Sequence, residues 1–149
     1  MENINGGRLW CRTTEEKIIT AWLKGKSQKI SMRDSVLCYS DTRKVYRLWN
    51  TDLISTDGKD VYIYIASNME ERDRYWQPNG FSTWQPREYI ISNTTKSRLN
   101  AFLSYYGFNS LEVHSSVKDW SVKYNGELLV VDCWYRLDFE NKKLELKKE

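Results

Sequence analysis

Four side chains at the predicted start of a helix have the donor groups needed to bind an anion: Thr94, Thr95, Lys96 and Arg98. A helix N-terminus carries free backbone N–H groups and a partial positive charge, so cations there are unfavourable unless an anion lies close by. Hydroxyl, ammonium and guanidinium groups would all donate hydrogen bonds to a phosphate or to a partner's carboxylate. The alternative is that these cations are exposed and tolerated, because each costs only about 0.3–1 kcal/mol.

The helix that carries these residues is indicated by apolar spacing. Four apolar residues follow at positions i, i+3, i+4 and i+7, which form one helix face: Leu99, Phe102, Leu103 and Tyr106. Asn93 or Thr94 is expected to cap the start of the helix. Gly107 is expected to end it in a left-handed turn.

A first helix is predicted near residues 14–24. Thr13 and Glu16 have the spacing of a capping box, in which the threonine accepts from the first turn and the glutamate reaches back. Gly25 is a typical helix terminator. Apolar residues share one face between these signals: Ile18, Ile19, Trp22 and Leu23.

The remaining segments have the pattern of antiparallel strands. Strands are expected at residues 35–39 and 44–49, and Asp57-Gly58 is a strong hairpin signal before a strand at 60–66. A short strand is expected at 111–114. Near the C-terminus, Asn125-Gly126 predicts a second hairpin, whose returning strand would run from 127 to 139.

Together these elements predict an α+β fold, with an antiparallel sheet (a meander plus a C-terminal hairpin) and two helices packed on it. The 149 residues form about one domain. Residues 1–12 and 140–149 are expected to be loosely ordered, because the first lacks a periodic pattern and the second is mostly charged.

Aromatic residues are unusually frequent, with seven Trp and ten Tyr in this short chain. A domain of this size cannot easily bury seven indoles, so two or three are expected to be at least partly exposed. Trp76 and Trp84, each followed by Gln-Pro, lie with Tyr75 in a segment of weak periodicity. These three side chains are therefore predicted to be interface aromatics.

The charge distribution limits the possible partners. The first fifty residues hold ten Lys or Arg and five Asp or Glu, although the whole chain is only +3. This basic part could face phosphate or an acidic partner, or it could simply be a solvated surface. A mimic of DNA is not favoured, because such proteins need a strongly acidic surface.

No enzyme motif is present, and catalysis is the least favoured interpretation. There is no nucleotide-binding glycine loop, metalloprotease motif or nucleophile elbow. Three widely spaced cysteines and a single histidine, His114, do not indicate a zinc site. We therefore expect no catalytic residue, metal or cofactor. The sequence also has no apolar stretch long enough to span a membrane, which favours the cytoplasm.

Residues 91–102, Ile-Ser-Asn-Thr-Thr-Lys-Ser-Arg-Leu-Asn-Ala-Phe, resemble a strand-to-helix signature in small proteins of phages and conjugative elements, Tyr-Ser-x-Thr-Thr-Ser-Lys-His followed by a helix with Asn and Phe. Residues 49–54 and 61–64 resemble the hairpin of the same family. The similarity covers residues 45–108. This chain has Arg98 where the family tends to have His, and an insertion near 67–86. The resemblance implies a mobile-element accessory protein, a class that commonly modulates host nucleic-acid machinery or host defence.

Two functional hypotheses follow. The first is a non-enzymatic accessory protein in the host cytoplasm that binds and modulates a host nucleic-acid-handling protein or protein–nucleic-acid complex, with an anti-CRISPR type of inhibitor of a defence nuclease as one form. Exposed Trp and Tyr would anchor the interface, and Lys and Arg would form its rim. The alternative is direct nucleic-acid binding, in which aromatic rings stack on bases and cations contact phosphates.

Overall fold

The computed structural model describes residues 1–67, 91–115 and 120–147. In these residues the chain forms helices and strands in the following order: α1 (Thr13–Lys24), β1 (Gln28–Lys29), β2 (Asp34–Cys38), β3 (Lys44–Leu48), β4 (Thr51–Thr56), β5 (Val61–Tyr64), α2 (Asn93–Tyr105), β6 (Glu112–Ser115), β7 (Trp120–Tyr124), β8 (Glu127–Leu128), β9 (Trp134–Asp138) and β10 (Lys143–Leu146). No helix in this part of the chain is long and apolar enough to cross a membrane.

The strands form two antiparallel sheets. The larger sheet has seven strands in the order β1-β2-β3-β4-β5-β9-β10, and the smaller has the order β6-β7-β8. Strands β1 to β5 pair in sequence order, because short loops bring consecutive strands together. The predicted α+β fold, with an antiparallel meander and two helices, is confirmed.

The predicted C-terminal hairpin forms, but its returning strand is not continuous. Asn125 and Gly126 both have positive φ, as the tight turn between β7 and β8 requires. Strand β8 ends at Leu128, and the chain then turns at Asp132, which has φ +58°. The Asp132 carboxylate accepts hydrogen bonds from the backbone and hydroxyl of Ser67 at 2.9 and 2.7 Å. The prediction of one strand over 127–139 is wrong, because this turn transfers the chain to the larger sheet as β9.

The start of α1 differs by one residue from its prediction. Arg12 is the N-cap residue, and the Glu15 carboxylate accepts a hydrogen bond from the Arg12 backbone N–H at 3.0 Å. The prediction that Thr13 and Glu16 form the capping box is therefore wrong. Because the N-cap is Arg12 and not Thr13, Glu15 is buried and Glu16 is exposed. Glu15 is therefore the residue that faces α2.

The start of α2 also differs from its prediction. Ser92 is the N-cap, and its hydroxyl accepts a hydrogen bond from the Thr95 backbone N–H at 3.1 Å. Neither Asn93 nor Thr94 caps the helix, because both already lie within its first turn. The predicted end is confirmed, since Gly107 adopts φ +80°.

An aromatic cluster joins both helices to the larger sheet. The Trp22 ring of α1 lies edge-on to Phe102 of α2 at 5.3 Å between centroids, and Phe102 stacks on Tyr46 of β3 at 5.6 Å. The Trp22 indole N–H donates to the Tyr106 hydroxyl at 2.9 Å. The predicted apolar face of α2 is buried here, so both helices cover the same face of the sheet.

The segment before α1, residues 1–12, lies along α2 and is called the N-terminal strap. The Asn3 side chain accepts hydrogen bonds from the backbones of Asn5 and Gly7, which folds the strap into a turn. The Ile4 N–H donates to the Tyr105 carbonyl at 2.9 Å, and Leu9 is buried. These contacts bring the end of the strap, next to α1, alongside the surface of α2.

Candidate anion-binding groove

A groove of about 540 Å³ runs between the N-terminal strap and the exposed side of α2. Trp10 and Arg12 line it from the strap, and Lys96 and Asn100 line it from α2. Glu15, from the first turn of α1, also contributes to the lining. The groove is therefore built where the strap, the start of α1 and the start of α2 meet.

The groove carries an excess of positive charge. Arg12 and Lys96 have no carboxylate within ion-pair distance in the described ranges. Among the described residues that line the groove, Glu15 is the one acidic side chain, and its carboxylate is paired with Arg98. Two cations thus line the groove with no carboxylate from the described part of the chain at ion-pair distance, so an anionic ligand would be favoured electrostatically.

A stacked tryptophan–arginine pair stands beside these cations. Trp10 is 74 % exposed, and the guanidinium carbon of Arg8 lies 4.1 Å from the centroid of its ring. A cation held over an indole face is attracted by the negative face of the ring. Trp10 therefore adds an exposed aromatic surface to the groove, and Arg8 holds a positive charge against that ring.

Arg98 has a different role from that predicted. Its side chain is 2 % exposed, and its Nε donates to Asp34 Oδ1 at 2.9 Å while Nη1 pairs with Glu15. The predicted anion at this side chain is thus supplied by two carboxylates of the same chain. Arg98 lies on the buried side of α2 and joins α1 and β2, so it is not available to an external ligand.

Hydrogen bonds keep both buried carboxylates ionised. Burial raises the pKa of Glu15, but the Arg12 backbone N–H, the Ser97 hydroxyl and Arg98 outweigh this effect and hold the pKa below its usual value. Burial raises the pKa of Asp34 too. There, Arg98 and the hydroxyls of Ser31 and Tyr46 outweigh it and again lower the pKa. The pKa of Tyr46 is raised by burial and by its bond to Asp34, so Tyr46 remains a donor.

The structure separates the predicted site residues from one another. Lys96 lines the groove. Thr95 is buried, and its hydroxyl accepts a hydrogen bond from the Ser92 hydroxyl at 3.0 Å, so it belongs to the helix cap. Thr94 is half-buried and does not line the groove. Only Lys96 of the four therefore faces the candidate site.

Trp10 and Arg12 were missed by sequence reasoning. They lie in the segment expected to be loosely ordered, and no periodic pattern marks it. The alternation Arg8-x-Trp10-x-Arg12 is the one local signal, since cations spaced around an exposed aromatic are typical of binding surfaces. The predicted interface aromatics Tyr75, Trp76 and Trp84 lie outside the described residues.

Cys11 also lines the groove. Burial raises the pKa of its thiol, and the negative charges of Glu15 and Glu16 raise it further. A thiol with a raised pKa forms little thiolate at neutral pH, and thiolate is the nucleophilic form.

The described residues contain no group of three His, Cys, Asp or Glu side chains placed to hold a metal ion. Comparison of the chain with protein-family models, with curated proteins and with solved structures gave no significant match.

Proposed function

We propose that this chain is a non-enzymatic binding protein whose groove receives an anionic surface of a partner. As an accessory protein of a phage or mobile element, it would act in the cytoplasm of the host cell. Its partner would be a host nucleic-acid-handling protein or a complex of such a protein, and a defence nuclease is one candidate. Binding would modulate or inhibit that partner.

The observation that carries the proposal is the pair of unmatched cations, one on each side of the groove. Arg12 comes from the strap and Lys96 from α2, and within the described part of the chain neither has a carboxylate partner. An anion bound in the groove would be attracted by both cations and would accept charge-assisted hydrogen bonds from them.

The exposed tryptophan in the groove supports a protein as the partner. Trp and Arg are enriched at protein interfaces and at the residues that contribute most to affinity. The exposed Trp10 with Arg8 stacked on it provides both types at one point. Metal-dependent nucleases carry clustered active-site carboxylates, which would supply the complementary negative charge.

Direct binding of nucleic acid is a second candidate, and the Arg8–Trp10 pair favours it. An exposed indole can stack on a base, while neighbouring cations contact phosphates. Such binding would depend strongly on salt, because each phosphate contact releases condensed counterions. A salt-sensitive interaction with an isolated oligonucleotide therefore separates the second candidate from a protein partner.

Affinity capture distinguishes the candidates. The tagged full chain is incubated with bacterial lysate, half of it treated with nuclease, and retained proteins are compared. We expect a retained protein in both halves. A gel shift of a short single-stranded oligonucleotide at about 50 and about 200 mM salt is run in parallel. A salt-sensitive shift without nuclease-resistant capture would support the second candidate, and the absence of both would reject both.

A further inference from the structure

Two large apolar side chains are exposed on neighbouring loops at one end of the larger sheet. Met32, in the loop before β2, is 85 % exposed, and Trp49, in the turn after β3, is 62 % exposed. The Trp49 backbone N–H donates to the Arg33 carbonyl at 2.6 Å, which holds the loop against the turn. Met32 and Trp49 are called the ridge below.

Trp49 occupies an unfavourable backbone conformation. It lies in a two-residue turn, since Leu48 pairs with Thr51 across the hairpin, and its φ is +54°. Left-handed positions in such turns are normally taken by Gly, Asn or Asp, and a bulky residue there is strained. Because the indole is mostly exposed, burial does not offset this strain. The fold itself therefore gives no reason for a tryptophan at this position.

The ridge lies at the same end of the molecule as the groove. Arg98 contacts Glu15, which lines the groove, and also contacts Asp34, the first residue of β2. Asp34 directly follows the loop that carries Met32. The starts of α1, α2 and β2 are thus joined through one side chain, and Asp34 pairs with Leu48 at the end of β3.

The ridge is bordered by positive charge. The exposed Arg33 guanidinium is 3.9 Å from Asp34, whose carboxylate is already bound closely by Arg98. Arg33 therefore places a cation beside the ridge, and Arg12 and Lys96 lie in the groove at the same end of the molecule. The complementary surface is an apolar patch bordered by carboxylates.

We propose that the ridge is a second contact region for the groove's partner, and that this partner is a protein with such a surface. The inference rests on the proposed function. Met, Trp and Arg are the residue types enriched in protein interfaces, and the flexible thioether of Met adapts to a partner's apolar surface. A nucleic-acid occupant is an outcome that the test can return instead.

Cross-linking tests whether the ridge contacts the partner. Benzoylphenylalanine replaces Trp49 in the full chain, and irradiation is done in nuclease-treated bacterial lysate. A control variant of the full chain has benzoylphenylalanine in place of Tyr39 instead. Tyr39 is 58 % exposed, but it follows the end of β2 that is far from Met32. We expect a protein adduct from position 49 and none from position 39. The adduct should disappear when Lys96→Glu is added, which shows that ridge and groove share one partner.

A second measurement tests the chemistry of the contact. With the captured protein as the probe, Trp49→Gly should weaken binding at least tenfold at every salt concentration, since an apolar contact is not screened. Lys96→Glu should weaken binding mainly at low salt. Tyr39→Ser should change binding less than twofold.

The outcomes separate the two proposals. Capture by the wild type with no adduct from position 49, or with Trp49→Gly binding unchanged, would overturn the ridge and leave the groove standing. An adduct with nucleic acid, seen only in untreated lysate, would overturn the protein occupant. Failure of the wild type to retain any partner would reject the proposed function, and the ridge with it.

Discussion

Arg98 Nε of α2 lies 2.9 Å from Asp34 Oδ1 of β2, across 64 residues of sequence. The same guanidinium pairs with Glu15 of α1. One buried cation therefore joins both helices to the sheet and sets the position of the groove relative to the strand end that carries the ridge. The proposed binding role belongs to Arg12 and Lys96, which lie outside this cluster.

Arg98→Met should destabilise the fold by about 3–5 kcal/mol, because it leaves two buried carboxylates without their cation. Urea unfolding followed by far-UV circular dichroism measures this loss. Arg47→Met is the control. It removes a partly exposed arginine whose 2.7 Å pair is with Asp52, and we expect a much smaller loss. Equal losses in the two variants would contradict the structural role of Arg98.

Lowering the pH should destabilise the protein, because it protonates Glu15 and Asp34, the two carboxylates that pair with Arg98. The pKa values of Glu15 and Asp34 are lowered in the fold from ordinary values of 4.5 and 3.8. The unfolded chain therefore binds protons at higher pH than the folded chain. The ionised carboxylates of Glu15 and Asp34 therefore stabilise the fold fully above pH 4.5. This stabilisation is lost as the pH falls below 4.5 and passes through the lowered pKa values of the folded state.

The test of this pH dependence is the melting temperature followed from pH 7 to pH 3. Glu15→Gln with Asp34→Asn should lower Tm at pH 7 but give a flatter pH profile, since the two titrating groups are gone. An equally steep acid loss in that double variant would assign the pH dependence to other carboxylates.

Ser92→Ala should cost about 1 kcal/mol of unfolding free energy, because the Ser92 hydroxyl accepts from the Thr95 N–H at the start of α2. Asn93→Ala is the matched control at the next residue, which makes no such cap. Chemical unfolding of both variants compares them directly. A larger loss for Asn93→Ala would contradict the observed cap.

Trp49→Gly should be more stable than Trp49→Ala by about 1 kcal/mol, since only glycine relieves the strain at φ +54°. Both variants remove the indole, so packing lost with the side chain cancels in the comparison. Unfolding free energies of the pair give the result. Equal stability would show that the turn relaxes and that residue 49 is not strained.

Local patterns predicted the elements whose signals are themselves local. The apolar stripe from Leu99 to Tyr106 placed α2, and Asp57-Gly58 placed the hairpin between β4 and β5. In contrast, the role of Arg98 depends on Glu15 and Asp34. Both residues lie far from Arg98 in sequence, so no local pattern indicates that the three side chains meet. Arg98 therefore appeared to belong with Lys96, whereas the fold turns the two cations to opposite sides of α2.

Strand β10 was not predicted for a related reason. Its residues, Lys-Leu-Glu-Leu, lie in a charged C-terminal segment that has no turn signal of the Asn-Gly type. Pairing with β9 forms the strand, with Leu144 opposite Leu137 and Glu145 opposite Arg136. The break at Asp132 likewise depends on its contact with Ser67, which lies far away in sequence.

The most direct test of the binding groove is partner capture by Arg12→Glu with Lys96→Glu. The control is Lys26→Glu with Lys59→Glu, which makes the same change of charge at two exposed positions outside the groove lining. All three proteins should melt at similar temperatures. We expect the wild type and the control to retain the same partner from nuclease-treated lysate, and the groove variant to lose it. Retention of that partner by a folded groove variant would contradict the proposed site.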